Sequence, residues 1–294
     1  MSRSPDWERD GAGWPNREHG RFVRAAGIRW HVQTWGQGPA LLLIHGTGAA
    51  THSWRNLAPL LAERFTLLAP DLPGHGFTDT LPGSPSLPAM SVALGDLLGV
   101  LKMSPALAVG HSAGAAILIR MSLDGLIRPE GIISLNGALQ PFRGGLSELF
   151  SPLAKLLFVN PLVPRLFAWG AGEAAVERMI RDTGSTIKPA GVALYARLVQ
   201  HPAHIAGALG MMADWDLKPL VRDLPRLSPP LLLVVGTKDR AIPPDDALAV
   251  RERLPSAGIV RMKGLGHLAH EERPVEAAEI VERFARTVGV LPPG

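Results

Sequence analysis

The 294-residue sequence predicts a doubly wound α/β fold, an open and mostly parallel sheet carrying an inserted helical cap. Three observations lead there. Short apolar runs alternate with segments of helical period through both ends of the chain, the pattern of strands joined by crossover helices. The stretch LAVGHSAGAAILIR at 107–120 reads as a buried strand, a glycine-flanked turn and a helix. Between Gly137 and about Leu227 the alternation stops, and prolines and glycines separate several short helical stretches.

Taken in order, FVRAAG and IRWHVQTWG meet around Gly27 as a two-strand ribbon, and ALLLIHG at 40–46 is an apolar run suited to burial on both faces. Ser53 is placed to cap a helix carrying Trp54, Leu57, Leu60 and Leu61, after which FTLLAPD supplies another strand. SVALGDLLGVL has helical period, ALAVG is a strand, SAGAAILIRMSL a helix and GIISLNG a strand. Past the cap, PPLLLVVGTKD and AGIVRMKG are strands separated by the helical DDALAVRERL. PVEAAEIVERFARTVG is an amphipathic helix with Pro274 suited to its first turn. The organisation expected is a polar N-terminal extension over 1–21, an α/β core over 22–137 and 228–294, and a helical cap over 138–227.

Composition narrows the classes. With 46% hydrophobic and 19% charged residues the chain suits a globular protein with one large core. The net charge of +4 is dispersed, without the basic stripe that nucleic-acid binding needs. The chain has no cysteine, so disulfides, a thiolate nucleophile and a cysteine-based metal site are excluded. The first twenty residues lack the apolar core of a secretory signal, and no apolar run approaches ~18 residues, which points to a cytoplasmic protein.

The turn at Ser112 carries the chemistry. Glycines two before and two after a serine remove side chains that would crowd a sharp strand-to-helix turn, and a serine opening a helix lies where negative charge is favoured. The bland reading is a glycine turn with an N-cap serine. A hydroxyl needs a base, and His267 in KGLGHLAH follows a strand close to where the last loop of such a sheet reaches the turn. His270 is a rival base or a loop-packing histidine. The base needs an orienting acid, and Asp239 follows the buried run LLLVVGTKD; its alternative is an Asx turn, while Asp245 and Asp246 suit the start of a helix. For an oxyanion, the amide of Ala113 is one donor and that of Thr47, or else Gly48, the second. His45 is expected to brace its loop, and Asp71 and His75 to serve the DLPGHG turn. The pairs His201/His204 and His267/His270 lack a third ligand, so neither a metal nor a cofactor is expected.

The motifs HGTG, DLPGHG, GHSAG, GTKD and GLGH resemble the α/β hydrolase superfamily from about residue 22 to 288. More narrowly, DWERDGAGWPNREHGRFVRAAGIRWHVQ, HGTGAATHSW and MMADWDLKPL resemble the magnesium chelatase accessory proteins of bacteriochlorophyll biosynthesis in photosynthetic bacteria. The order Ser112, Asp239, His267 is that of the superfamily. Dehalogenases and epoxide hydrolases of this fold carry aspartate at the turn, so Ser112 disfavours both.

The function these readings favour is cofactor-independent hydrolysis of an ester or related acyl bond, with the resemblance implying an apolar, tetrapyrrole-like substrate. Trp54, Phe150, Phe158, Trp169, Met211 and Trp215 are candidates for substrate contact, against the plainer reading that they pack the cap. Rivals are a tetrapyrrole-binding or magnesium chelatase accessory factor, and a cofactor-free haloperoxidase-like or carbon–carbon bond hydrolase. A peripheral membrane contact through residues 146–167 is a further expectation, and nucleic acid is not an expected partner.

Overall fold

The computed structural model describes residues 5–141, 162–170 and 172–293, with residues 166, 167, 169 and 170 described by backbone alone. One eight-stranded sheet organises them. Its strands are β1 (Gly20–Ala25), β2 (Ile28–Trp35), β3 (Ala40–Ile44), β4 (Thr66–Pro70), β5 (Leu107–His111), β6 (Gly131–Leu135), β7 (Leu231–Gly236) and β8 (Gly258–Met262). They lie in the order β1-β2-β4-β3-β5-β6-β7-β8. β1, β2 and β4 pair antiparallel, and every other pairing is parallel. The sheet class and its alternation therefore agree with the periodicity of the sequence.

Local chemistry explains the pieces. Ala26 and Gly27 both have positive φ, 51° and 75°, and close the β1–β2 hairpin with a two-residue turn whose twist matches the strands. β5 lies between β3 and β6 and all five of its residues are buried, which is why it reads as an unbroken apolar run. Helices α2 (Leu87–Leu101) and α3 (Ala113–Leu123) pack against each other, and their Leu94, Leu97, Ile117 and Ile119 are completely buried in one core layer. The final helix, Pro274–Thr287, buries Ala277, Ile280 and Val281 in the layer on the opposite face, with Pro274 in its first turn.

One expected helix is divided. Thr51–Trp54 forms a 3-10 turn and Ala58–Leu61 the short helix α1, so Ser53 sits inside the turn instead of capping a helix. The polar turn is held by tertiary bonds: the Thr51 amide donates to Asp71 Oδ1 at 2.6 Å.

Between β6 and β7 the regular elements of the described residues are all helical: α4 (Leu162–Gly170), α5 (Glu173–Asp182), α6 (Pro189–Val199), α7 (Pro202–Ala213), α8 (Lys218–Asp223) and a 3-10 turn at Leu224–Arg226. Proline in the first turn of α6, α7 and α8 sets their starts, since a missing N–H costs nothing there. The N-terminal segment is a strap. Trp14 is 3% exposed, donates from Nε1 to Thr51 Oγ1 at 3.1 Å, and packs with Phe77, Leu194 and Leu198. Arg197 of α6 donates to the carbonyls of Asp10 and Ala12 at 2.9 and 2.8 Å. Among the described residues no helix is long and apolar enough to cross a membrane. Most of 146–167 lies outside the described residues, as do Phe150 and Phe158.

Candidate active site

Ser112 stands between β5 and α3 with φ 51° and ψ −118°, a backbone conformation that costs energy for any residue with a Cβ. The glycines around it explain how the strain is accommodated. A Cβ on Gly110 would stand 2.5 Å from the Ala115 nitrogen, and one on Gly114 would collide with the carbonyl oxygen of Ile44. The Ser112 amide donates to the Leu135 carbonyl at 3.0 Å, and its own carbonyl accepts from Ala115 and Ala138. The turn is thus pinned to β6 and to the chain beyond it.

His267 and Asp239 arrive from the ends of different strands. Asp239 follows β7, is 6% exposed, and accepts at Oδ1 from the amides of Ala241 and Ile242, each at 2.8 Å. Its Oδ2 accepts from His267 Nδ1 at 2.8 Å and from Asn136 Nδ2 at 2.8 Å. The carboxylate therefore has its Asx-turn bonds and its histidine bond together. With Nδ1 committed to Asp239, Nε2 is the ring nitrogen left to act as base, and His267 lines the cavity. Asn136, at φ 47° after β6, is absent from the candidates the sequence offered; its Asn-Gly step reads locally only as a turn.

Ser112, His267, Thr47 and Ala113 all line one cavity of about 400 Å³ beneath α5, α6 and α7. Most of its remaining wall is apolar, including Ile180, Ile205, Leu209, Met212 and Trp215. Among the described residues the wall contains no Asp, Glu, Lys or Arg. The Thr47 and Ala113 amides have no protein acceptor among the described residues, so both remain available as donors.

The expected substrate contacts divide. Trp215 lines the cavity. Met211 does not; it lies behind the wall, completely buried, with its sulfur accepting from Thr47 Oγ1 at 3.6 Å. Trp54 is a correction: it is completely buried in the core layer with Leu57 and Leu61, against His270, because the divided 51–61 segment turns it inward. The Trp169 side chain lies outside what is described, with Phe150 and Phe158.

The other histidines are structural in geometry. His45 Nε2 accepts from the Leu72 amide at 2.8 Å, bracing the loop as expected. Asp71 accepts from Thr51, Phe77 and His31, and its carboxyl is held below the usual range because His31 and these donors outweigh its burial. His204 Nδ1 accepts from Gly76 while Nε2 donates to the Gly48 carbonyl, each at 3.1 Å, and burial lowers it to about 4. His270 is buried with both ring nitrogens unpartnered, lowered to about 3 by burial and then by Arg55 and His267. His111 donates from Nε2 to the His267 carbonyl at 3.0 Å, and burial pushes it well below the ordinary imidazole value.

Residues 41–280 match the family model described as the alpha/beta hydrolase family. The "Magnesium-chelatase 30 kDa subunit" of Rhodobacter capsulatus is 39% identical over 267 residues, which cover 88% of this chain and 92% of that protein. The pimeloyl-[acyl-carrier protein] methyl ester esterase of Chromobacterium violaceum is 29% identical, covering 86% of this chain and 98% of its own. An α/β hydrolase fold protein from Burkholderia ambifaria superposes with a TM-score of 0.75 at 24% identity, covering 96% of this chain and 99% of that one. With a sheet, a turn and a family match that agree over most of its length, the chain belongs to the alpha/beta hydrolase family.

Proposed function

We propose that the protein is a serine hydrolase that cleaves an ester or related acyl bond in a lipophilic substrate. The observation that carries this is the shared cavity: Ser112 on its strained turn and His267, itself bound to Asp239, open onto the same apolar space. Ser112 Oγ attacks the carbonyl carbon while His267 Nε2 takes its proton. His267 then returns the proton to the leaving oxygen, and the acyl-serine forms. Water, deprotonated by His267, attacks the acyl carbon and releases the acid with Ser112 restored. Asp239 fixes the imidazole with Nδ1 as donor, and the Thr47 and Ala113 amides receive the developing oxyanion. No step requires a cofactor.

A wall whose described residues include no Asp, Glu, Lys or Arg favours a neutral acyl group, since an unpaired charge within it would lose its hydration. The described helices α5, α6 and α7 act as the cap that supplies much of this wall. The similarity to a protein named for magnesium chelatase favours an ester of the chlorophyll-type tetrapyrrole pathway as substrate, and a place beside that complex. The same name supports a second reading, an accessory factor that binds a tetrapyrrole or assists magnesium insertion on a hydrolase scaffold.

The two readings separate experimentally. Wild type and Ser112→Ala are exposed to a fluorophosphonate probe, then to porphyrin methyl esters with product masses recorded. Labelling and ester cleavage that disappear in Ser112→Ala are the expected results. Labelling retained by Ser112→Ala overturns the nucleophile, and full support of pigment synthesis by that variant in cells establishes the accessory reading. Conversion without hydrolysis of the ester shifts the assignment to carbon–carbon cleavage or haloperoxidase-like chemistry.

A further inference from the structure

Glu271 lies four residues after His267 and its side chain is fully buried, yet it takes no part in the steps above. It joins three elements. Its Oε1 accepts from the Tyr195 hydroxyl of α6 at 2.6 Å. Its Oε2 is paired with Arg55, which follows the Thr51–Trp54 turn and also donates to the His52 carbonyl at 3.2 Å. Glu271 itself belongs to the short helix Ala269–Glu272, immediately behind the His267 loop. The Tyr195 ring meanwhile forms part of the cavity wall.

Nothing in this arrangement is slack. A Cβ on Gly191, one turn before Tyr195, would collide with the Arg55 guanidinium, so α6 is packed directly on the ion pair. The ring of His52 meets Tyr195 edge-on, with centroids 4.4 Å apart, and meets Trp14 of the N-terminal strap on another side. Val192 and Ala196 of α6 pack with Leu268 of the His267 loop. A buried carboxylate holding a phenol on one side and a guanidinium on the other is a directional joint, because each partner can bond it only in a narrow geometry.

We propose that Glu271 is a positioning residue that, neutralised by Arg55, locks the Tyr195 ring as a fixed wall of the acyl cavity and so limits the size of acyl group accepted. The specificity claim rests on the hydrolase reading; the locked wall does not. Burial raises the carboxyl of Glu271, with Arg55 opposing, and raises the Tyr195 phenol well above its ordinary value, so Tyr195 remains a donor at working pH.

Two measurements test it on the full-length protein. The first needs no catalysis: binding of n-butanol and n-octanol to wild type, Tyr195→Phe and Glu271→Gln by calorimetry. The second is kcat/KM for p-nitrophenyl acetate and p-nitrophenyl decanoate. In both variants the preference for the longer chain rises about tenfold, mainly through Kd or KM, the factor that a charge-assisted hydrogen bond can sustain. The double variant rises no further than either single one, because both changes remove the same joint. A long-to-short ratio that stays within about twofold of wild type or falls, or single effects that add, overturns the proposal. Tyr195→Phe keeps the Arg55–Glu271 pair and so tests the joint if Glu271→Gln fails to fold. The hydrolase reading fails separately, if wild type takes no fluorophosphonate label and cleaves none of the esters, and the alkanol ratios still decide whether Glu271 fixes the wall.

Discussion

Ser112 shows how little of a site one residue carries. Its five-residue pattern acquires meaning from φ 51°, from glycines whose replacement would drive a Cβ into backbone, and from an amide pinned to β6. Gly114→Ala should lower stability by about 3 kcal/mol, since the collision is with main-chain carbonyls of β3 and its following loop that cannot rotate aside. A thermal melt that shifts by less than a degree rejects that estimate of the crowding. Asp239→Asn should retain the fold but reduce ester turnover about 10⁴-fold by presenting the wrong tautomer of His267. Steady-state kinetics on p-nitrophenyl acetate reads this directly. At this scale Ser112, Asp239 and His267 were legible because each follows an apolar run ending in a turn. Asn136 and Glu271 were not, because the partners that give them meaning lie 76 to 216 positions away.

At the scale of elements, α6 is tethered on several sides. Leu194 and Leu198 face Trp14 and Phe77, Val192 and Ala196 face Val176 and Leu268, and Arg197 reaches the strap. Trp14→Ala should therefore cost about 3–5 kcal/mol and speed amide exchange in residues 190–199 before it affects α2 or α3. Equal acceleration throughout the chain would refute a local clamp. The sequence shows this region only as short helical stretches separated by prolines and glycines. It was silent on the clamp, because an amphipathic pattern says which face is buried and not what buries it. The divided segment 51–61 illustrates the converse: apolar residues at helical spacing promised one helix, and the bond from Thr51 to Asp71 imposed a turn first.

For the whole molecule, buried histidines tie stability to pH. His45, His52, His75, His111, His204 and His270 are all lowered by burial, His204 to about 4 and His270 to about 3. In the unfolded chain they take up protons near ~6.5, so below that pH the unfolded state holds more protons than the native one. Stability is then fully present above about pH 6.5 and falls as pH drops toward 4, by up to about 1.4 kcal/mol per pH unit for each imidazole. Urea midpoints measured between pH 7.5 and 4.5 should decrease steadily, and a flat profile would show that these rings are not buried neutral. The cap face would yield early, since protonating His204 at Nδ1 breaks its bond from Gly76.

The primary structure alone dictated the alternating sheet, the glycine-flanked serine turn and the order of Ser112, Asp239 and His267, because strand period, turn sterics and chain order are local or one-dimensional properties. Folding alone decided that Trp54 belongs to the core and Trp215 to the cavity, that Met211 stands behind Thr47, and that Glu271 joins Arg55 to Tyr195. An apolar side chain carries no mark of which apolar surface will cover it, and a charged one none of the partner that will neutralise it. Those assignments follow from how the layers close over the strand ends.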